Sequence, residues 1–154
     1  MDRSYVTNEV NKIIDNKDWG YPLNMAFAGS WVIANLKGLN LKVINVSKQS
    51  SLSDFYVIAS ATNSVQAQSI ADEIVRQLKP HDIKLLSVEG MGDAEWILLD
   101  FGDIIFHIFQ EHSRSLYNLD EIWEEAPQED IPDSFYFGAS GKSEDDTETT
   151  RGFF

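Results

Sequence analysis

Cysteine is absent from all 154 residues. A disulfide framework, a thiolate nucleophile and any Cys-ligated zinc or iron–sulfur centre are therefore excluded. Apolar runs are short as well. No stretch of 18 apolar residues exists, so the sequence offers no membrane-spanning segment. Basic side chains are few: 12 Lys and Arg stand against 25 Asp and Glu, a net charge of −13. That balance argues against a grip on nucleic-acid phosphates, DNA included, which needs clustered Lys and Arg. It suits a basic protein partner. The opening residues MDRSYVTNEV carry neither the apolar stretch of a signal peptide nor the Arg-rich pattern of a transit peptide. The expectation is a soluble cytoplasmic domain, long enough to bury a core without staples.

Composition divides the chain into three parts. Residues 1–22 carry a net charge of −1 and place Val6, Val10, Ile13 and Ile14 at helical spacing. A short amphipathic helix capped by Thr7 and broken by DWGYP is expected there. Residues 23–127 hold nearly all the periodic hydrophobicity, with 14 acidic and 7 basic residues. Residues 128–154 hold seven acidic and two basic residues among Gly, Ser and Thr. This last part reads as a disordered tail that buries too little apolar surface to offset its ordering entropy, with FYF at 135–137 a candidate to dock back.

Within the middle part, NMAFAGSWVIANLKG reads as a helix covered nearly all round and ended by Gly38 at the C′ position. LKVINVS and DFYVIAS are strands. Ala67, Ile70, Ala71, Ile74, Val75 and Leu78 define an amphipathic helix, capped at Asn63 or Ser64 and stopped by Pro80. On its solvated face Asp72 and Arg76 can pair at i, i+4. IKLLSV is a third strand. AEWILLDFGDIIFHIFQ reads as a hairpin turned at Gly102–Asp103. Alternation puts Trp96, Leu98 and Asp100 on one face and Ile97, Leu99 and Phe101 on the other. A short helix around HSRSLYNL and the segment DEIW follow. Interleaved strands and helices make the fold class α/β, with a mixed β-sheet flanked by helices.

Candidate chemistry is sparse. Gly29–Ser30 invites comparison with nucleotidyltransferases, which need two carboxylates about a dozen residues later to hold magnesium. The downstream stretch NLKGLNLKVINVS has no acid, so the pair reads as small residues on a packed helix. His81, His107, His112 and Glu111 have no metal-site spacing. His107 reads as a satisfied structural residue. Asp103 is explained by turn chemistry. Trp96, Leu98 and Asp100 form either a core layer or an interaction patch, and periodicity alone favours the core. No catalytic residue, metal or cofactor is expected.

VEGMGDAEWILLDFGDIIFHIF followed by SRSLYNLDEIW resembles the signature of the ribosomal silencing factor, or Iojap-like, family. Glu89 with its following glycine, Trp96, the Asp100–Asp103 corner, His107, Arg114, Tyr117 and Trp123 carry the resemblance. LKVINVS, LSDFYVIAS and QSIADEIVRQLK extend it to about residues 36–124. Asn45, Ala61, Asn63, Val65 and His112 depart from the family pattern and receive no role. The resemblance implies a nucleotidyltransferase-like fold without catalytic carboxylates, and an activity of binding alone. It implies that a bacterial, cytoplasmic protein of this kind docks on the L-fourteen protein of the large ribosomal subunit and obstructs the small subunit, repressing translation. Organellar relatives look more like large-subunit assembly factors. The free chain would be a homodimer. Read this way, Trp96, Leu98, Asp100, Glu89, Arg114 and Tyr117 form the partner-binding set, and the resemblance turns the Trp96 face from core to patch.

Overall fold

The computed structural model describes residues 3–137. The expected disorder of residues 138–154 lies outside them.

The first helix, α1, spans Arg3–Ile14. It begins before Thr7, so that residue lies inside the helix and caps nothing. Val6, Val10 and Ile13 are buried in the main core. The segment from α1 to Trp19 therefore packs as part of the fold.

Helix α2 (Leu23–Asn35) is buried continuously from Asn24 to Ala34, as its all-round apolar character requires. At Gly29 a Cβ would sit 2.2 Å from the Phe106 ring. Gly29 is thus small because a sheet side chain occupies the space beneath it. Ser30 Oγ donates to Ala26 O at 2.7 Å and stays inside the helix. The end of α2 departs from expectation. Lys37, not Gly38, takes the left-handed conformation, with φ 71°. Gly38 N–H donates to Ile33 O and Lys37 N–H to Ala34 O, the pairing of a Schellman end. Gly38 is needed one position later, where a Cβ would meet Ile33 Cγ2 at 2.5 Å.

Strands β1 (Leu39–Asn45) and β2 (Phe55–Ala61) lead into α3 (Ser64–Leu78). Asn63 caps α3 by accepting from Gln66 N–H at 2.8 Å. Arg76 faces Glu73 at 3.5 Å rather than the expected Asp72. The third strand is shorter and later than IKLLSV suggests: β3 covers only Ser87–Glu89. Strands β4 (Trp96–Asp100) and β5 (Ile104–Gln110) form the hairpin, and Gly102 takes φ 85° as the first turn residue. Two short helices follow, α4 (Glu111–Tyr117) and α5 (Leu119–Ile122).

Residues 128–137, grouped with the tail by composition, belong to the folded body. Gln128–Glu129 form β6 against β1, and Ser134–Phe137 form α6. Phe135 is buried, edge-on to both Trp19 and Phe27.

The sheet order is β3-β4-β5-β2-β1-β6. Only β2 and β5 run parallel; the other neighbours are antiparallel. Because side chains alternate across a strand, each strand feeds two layers. Val43, Val57, Ile97, Leu99, Phe106 and Ile108 point toward α1, α2 and α3 and build the main core. Ile44, Ile58 and Phe109 face the opposite way, into a smaller cluster with Leu119 and Ala126. Among the described residues, that second face is covered by the short α4 and α5 segments and by Trp123 and Ala126 just beyond them.

Candidate docking face

The second face is where the expected site residues meet. In the β4–β5 register Trp96 lies opposite Phe109, Leu98 opposite His107 and Asp100 opposite Ile105. Glu89 pairs with Leu98 on the outer side. Trp96, Leu98 and Asp100 therefore share one face, as alternation predicts, and Glu89 joins it across the β3–β4 pair. Trp96, Leu98 and Asp100 are partly buried and Glu89 is exposed.

Trp96 joins core and surface. Its ring stacks on Phe109 with centroids 4.9 Å apart and leans on Tyr117 at the same distance. Its indole N–H donates to His107 Nδ1 at 3.0 Å. An indole nitrogen only donates, so Nδ1 must accept and the imidazole proton resides on Nε2. That Nε2 is buried with no hydrogen-bond partner among the described residues. His107 is thus satisfied at one nitrogen, not two. Burial pushes its pKa down to about 4, so the ring is neutral at physiological pH.

Tyr56 packs between His107 and Trp123, with centroids 4.7 and 5.3 Å away. Together these rings make a continuous aromatic surface across β4, β5, β2 and the end of α5. Beside it Tyr117 is 49% exposed and Ile122 68% exposed. Glu89, Glu121, Glu124 and Glu125 are also exposed.

Two members of the expected set have structural duties. Asp100 Oδ1 accepts from Gly102 N–H at 2.8 Å and fixes the hairpin corner. Arg114 differs more from expectation, because it is buried rather than presented to a partner. Its Nε and Nη2 each donate to the Asp120 carboxylate at 2.9 Å, and Nη1 reaches Asn40 O and Ser60 Oγ. Lys42 adds a second cation 2.9 Å from Asp120. This bidentate pair holds the Asp120 carboxyl well below the usual carboxylate range. Arg114 therefore ties α4 and α5 to β1 and β2 and holds Tyr117 and Trp123 in place. Sequence reasoning missed Asp120 and Tyr56 as members of this face. The six-residue interval from Arg114 to Asp120 crosses a helix break at Asn118, so no helical spacing announces the pair.

Gly90 shapes the edge of the face. Its φ is 84°, and a Cβ there would lie 2.0 Å from Trp96 O. His112 Nε2 lies 2.7 Å from Glu95 Oε1, which also accepts from Ser113 Oγ. These bonds hold the Glu95 carboxyl below its ordinary value. Among the described residues no cluster of three or more His, Asp or Glu could hold a metal ion.

Fold and face together define an α/β domain whose six-stranded mixed sheet carries an aromatic surface beside exposed carboxylates. The profile described as "Ribosomal silencing factor during starvation" matches residues 26–152. The chain belongs to this ribosomal silencing factor (RsfS) family, whose task is regulatory and supports a role in ribosome silencing. It is similar to the ribosomal silencing factor RsfS of Bacillus subtilis (strain 168), 37% identical over 82 residues, covering 53% of this chain and 70% of that protein. RsfS of Zymomonas mobilis is 36% identical over 96 residues, covering 62% and 72%. A crystal structure from Bacillus halodurans superposes with TM-score 0.59 at 27% identity, covering 67% of this chain and 93% of that one. The matched span runs past residue 124 and includes β6 and α6, in keeping with their place in the folded body.

Proposed function

We propose that the second sheet face docks on the large ribosomal subunit at its L-fourteen protein, and that occupancy there obstructs the joining of the small subunit. The observation that carries this reading is the aromatic surface of Trp96, Tyr56, Trp123 and Tyr117 with carboxylates beside it. Aromatic anchors supply most of the energy of protein interfaces. Acidic neighbours steer encounter with a basic partner and repel RNA phosphates. Blocking a contested surface needs occupancy and no chemistry, which fits the family's regulatory role. In the free chain the partner is a second copy, forming a homodimer.

The test is co-sedimentation with isolated large subunits, read alongside a subunit-joining assay and circular dichroism. Tyr117→Ala should weaken docking by about 2 kcal/mol while leaving the domain folded, because half of its surface is exposed. Glu89→Lys should slow association and change its salt dependence. If both variants bind and block joining like the parent, the docking surface is not this face. Trp96→Ala is a poorer probe, since it also removes packing on Phe109 and the bond to His107.

A further inference from the structure

The chain between Arg114 and Pro127 is pinned at both ends and lightly held between them. Arg114 is fixed to the sheet, where its Nη1 donates to Asn40 O at 2.6 Å and to Ser60 Oγ at 3.0 Å. Asn40 lies at an irregularity of the β1–β2 register between Leu39 and Lys42, and takes φ 50° there. A left-handed residue at such a bulge is strained unless it is glycine, and Asn tolerates it better than most. At the far end Asn45 N–H donates to Pro127 O at 2.8 Å.

Residues 115–126 make a strap across the second face. Leu119 and Ala126 are buried, Asp120 and Trp123 are partly buried, and the other eight residues are exposed. Helix α5 has four residues and starts from a left-handed Asn118, too short to stand without its packing. A segment with so little apolar burial opens more readily than the core beneath it. One carboxylate closes it. Asp120 accepts from Arg114 Nε and Nη2 at 2.9 Å and lies 2.9 Å from Lys42 Nζ. Among the described residues no other ion pair joins the strap to the rest of the chain. Closed, the strap leans Tyr117 on Trp96 and Trp123 on Tyr56, with centroids 4.9 and 5.3 Å apart. Opening removes both rings from the face and bares Ile44, Ile58 and Phe109, which cluster with Leu119 and Ala126.

We propose that residues 115–126 open and close as a unit on the clasp of Asp120 with Arg114 and Lys42, and that only the closed strap presents the docking face. The opening stands on packing alone; its effect on docking rests on the ribosomal reading. A partner seated on Tyr117 and Trp123 binds the closed form, so its apparent affinity scales with the closed fraction.

Hydrogen exchange of the full chain, read beside co-sedimentation with large subunits, tests both. Asp120→Lys sets a third cation against Arg114 and Lys42. Amides over 115–126 should then exchange about a thousandfold faster, the scale of breaking a buried ion pair. Those of α3, residues 64–78, should stay within about threefold of the parent, because the main core remains closed. Asp120→Asn should fall between. Docking should weaken by the open-to-closed ratio that exchange reads, about tenfold for a strap one-tenth closed. Ile74→Ala, in the main core on the other side of the sheet, is the control. It should speed exchange in α3 and leave strap exchange and docking unchanged. Equal acceleration of strap and α3 in Asp120→Lys would overturn the proposal, since the clasp would then support the whole fold. So would a folded Asp120→Lys whose strap stays protected. Parental docking by an opened strap, where Tyr117→Ala docks weakly, overturns the gate. Parental docking by both variants overturns the ribosomal reading instead, and exchange then decides the strap by itself.

Discussion

His107 sets the chemistry of the aromatic face one proton at a time. It accepts from Trp96 only while neutral, and its pKa of about 4 in the native state lies below the ordinary value of 6.5. The unfolded chain therefore takes up a proton between pH 6.5 and 4 that the native chain refuses. Stability from this site is complete above pH 6.5 and falls by up to about 3 kcal/mol as pH drops through that window. Urea titrations from pH 7.5 to 4 should show the slope, and His107→Asn, which cannot take up that proton, should flatten it. Asp120 acts lower on the scale. Its carboxyl is depressed by Arg114, so its contribution is present above the ordinary carboxylate value near 4 and is lost as pH falls below it. Asp120→Asn should destabilise the protein at pH 7 and remove this more acidic phase. Gly90→Ala should cost about 3 kcal/mol, because the new Cβ meets Trp96 O and φ is positive; the denaturation midpoint reads it directly.

Among elements, the end of α2 holds a side chain in a conformation that usually belongs to glycine. Lys37 carries φ 71° at the C′ position of a Schellman end. Lys37→Gly should therefore stabilise the domain by about 1 kcal/mol, seen as a higher urea midpoint with unchanged slope. The sequence misleads here because Gly38 is present for a close approach to Ile33, not for its backbone freedom. Elsewhere pattern and element agree for physical reasons. Helix α3 has one apolar face and a side-chain cap, so both its period and its start are visible at Asn63. Strand β4 alternates because Ile97 and Leu99 are buried while Trp96, Leu98 and Asp100 are not. The run IKLLSV looks like a longer strand than β3 because Ile83 and Leu85 pack on the main core from irregular chain, and apolar residues there mimic a strand. Arg114 stands out in the sequence through the family resemblance alone. Its burial depends on Asn40 and Ser60, which lie 74 and 54 residues away, and no local pattern encodes that.

For the whole molecule, composition assigned residues 128–137 to the exterior, yet Phe135 closes the core beside Trp19 and Phe27. A single buried aromatic in a polar segment carries almost no periodicity. Phe135→Ala should cost about 3 kcal/mol, measurable as a lowered unfolding midpoint, and a chain ending at residue 127 should be destabilised at least as much.

Strand β6 has a consequence larger than its size. It pairs with β1 only at Val43 and Ile44, while β3 on the opposite side of the sheet is three residues long. A sheet bounded by such stubs offers little template for another strand to join, which is how natural sheets resist growing into fibrils. Removing β6 bares the outer flank of seven-residue β1, with Leu41, Val43 and Ile44 along it. A chain cut before Gln128 should accordingly bind amyloid dyes on standing at concentrations where the full chain stays clear.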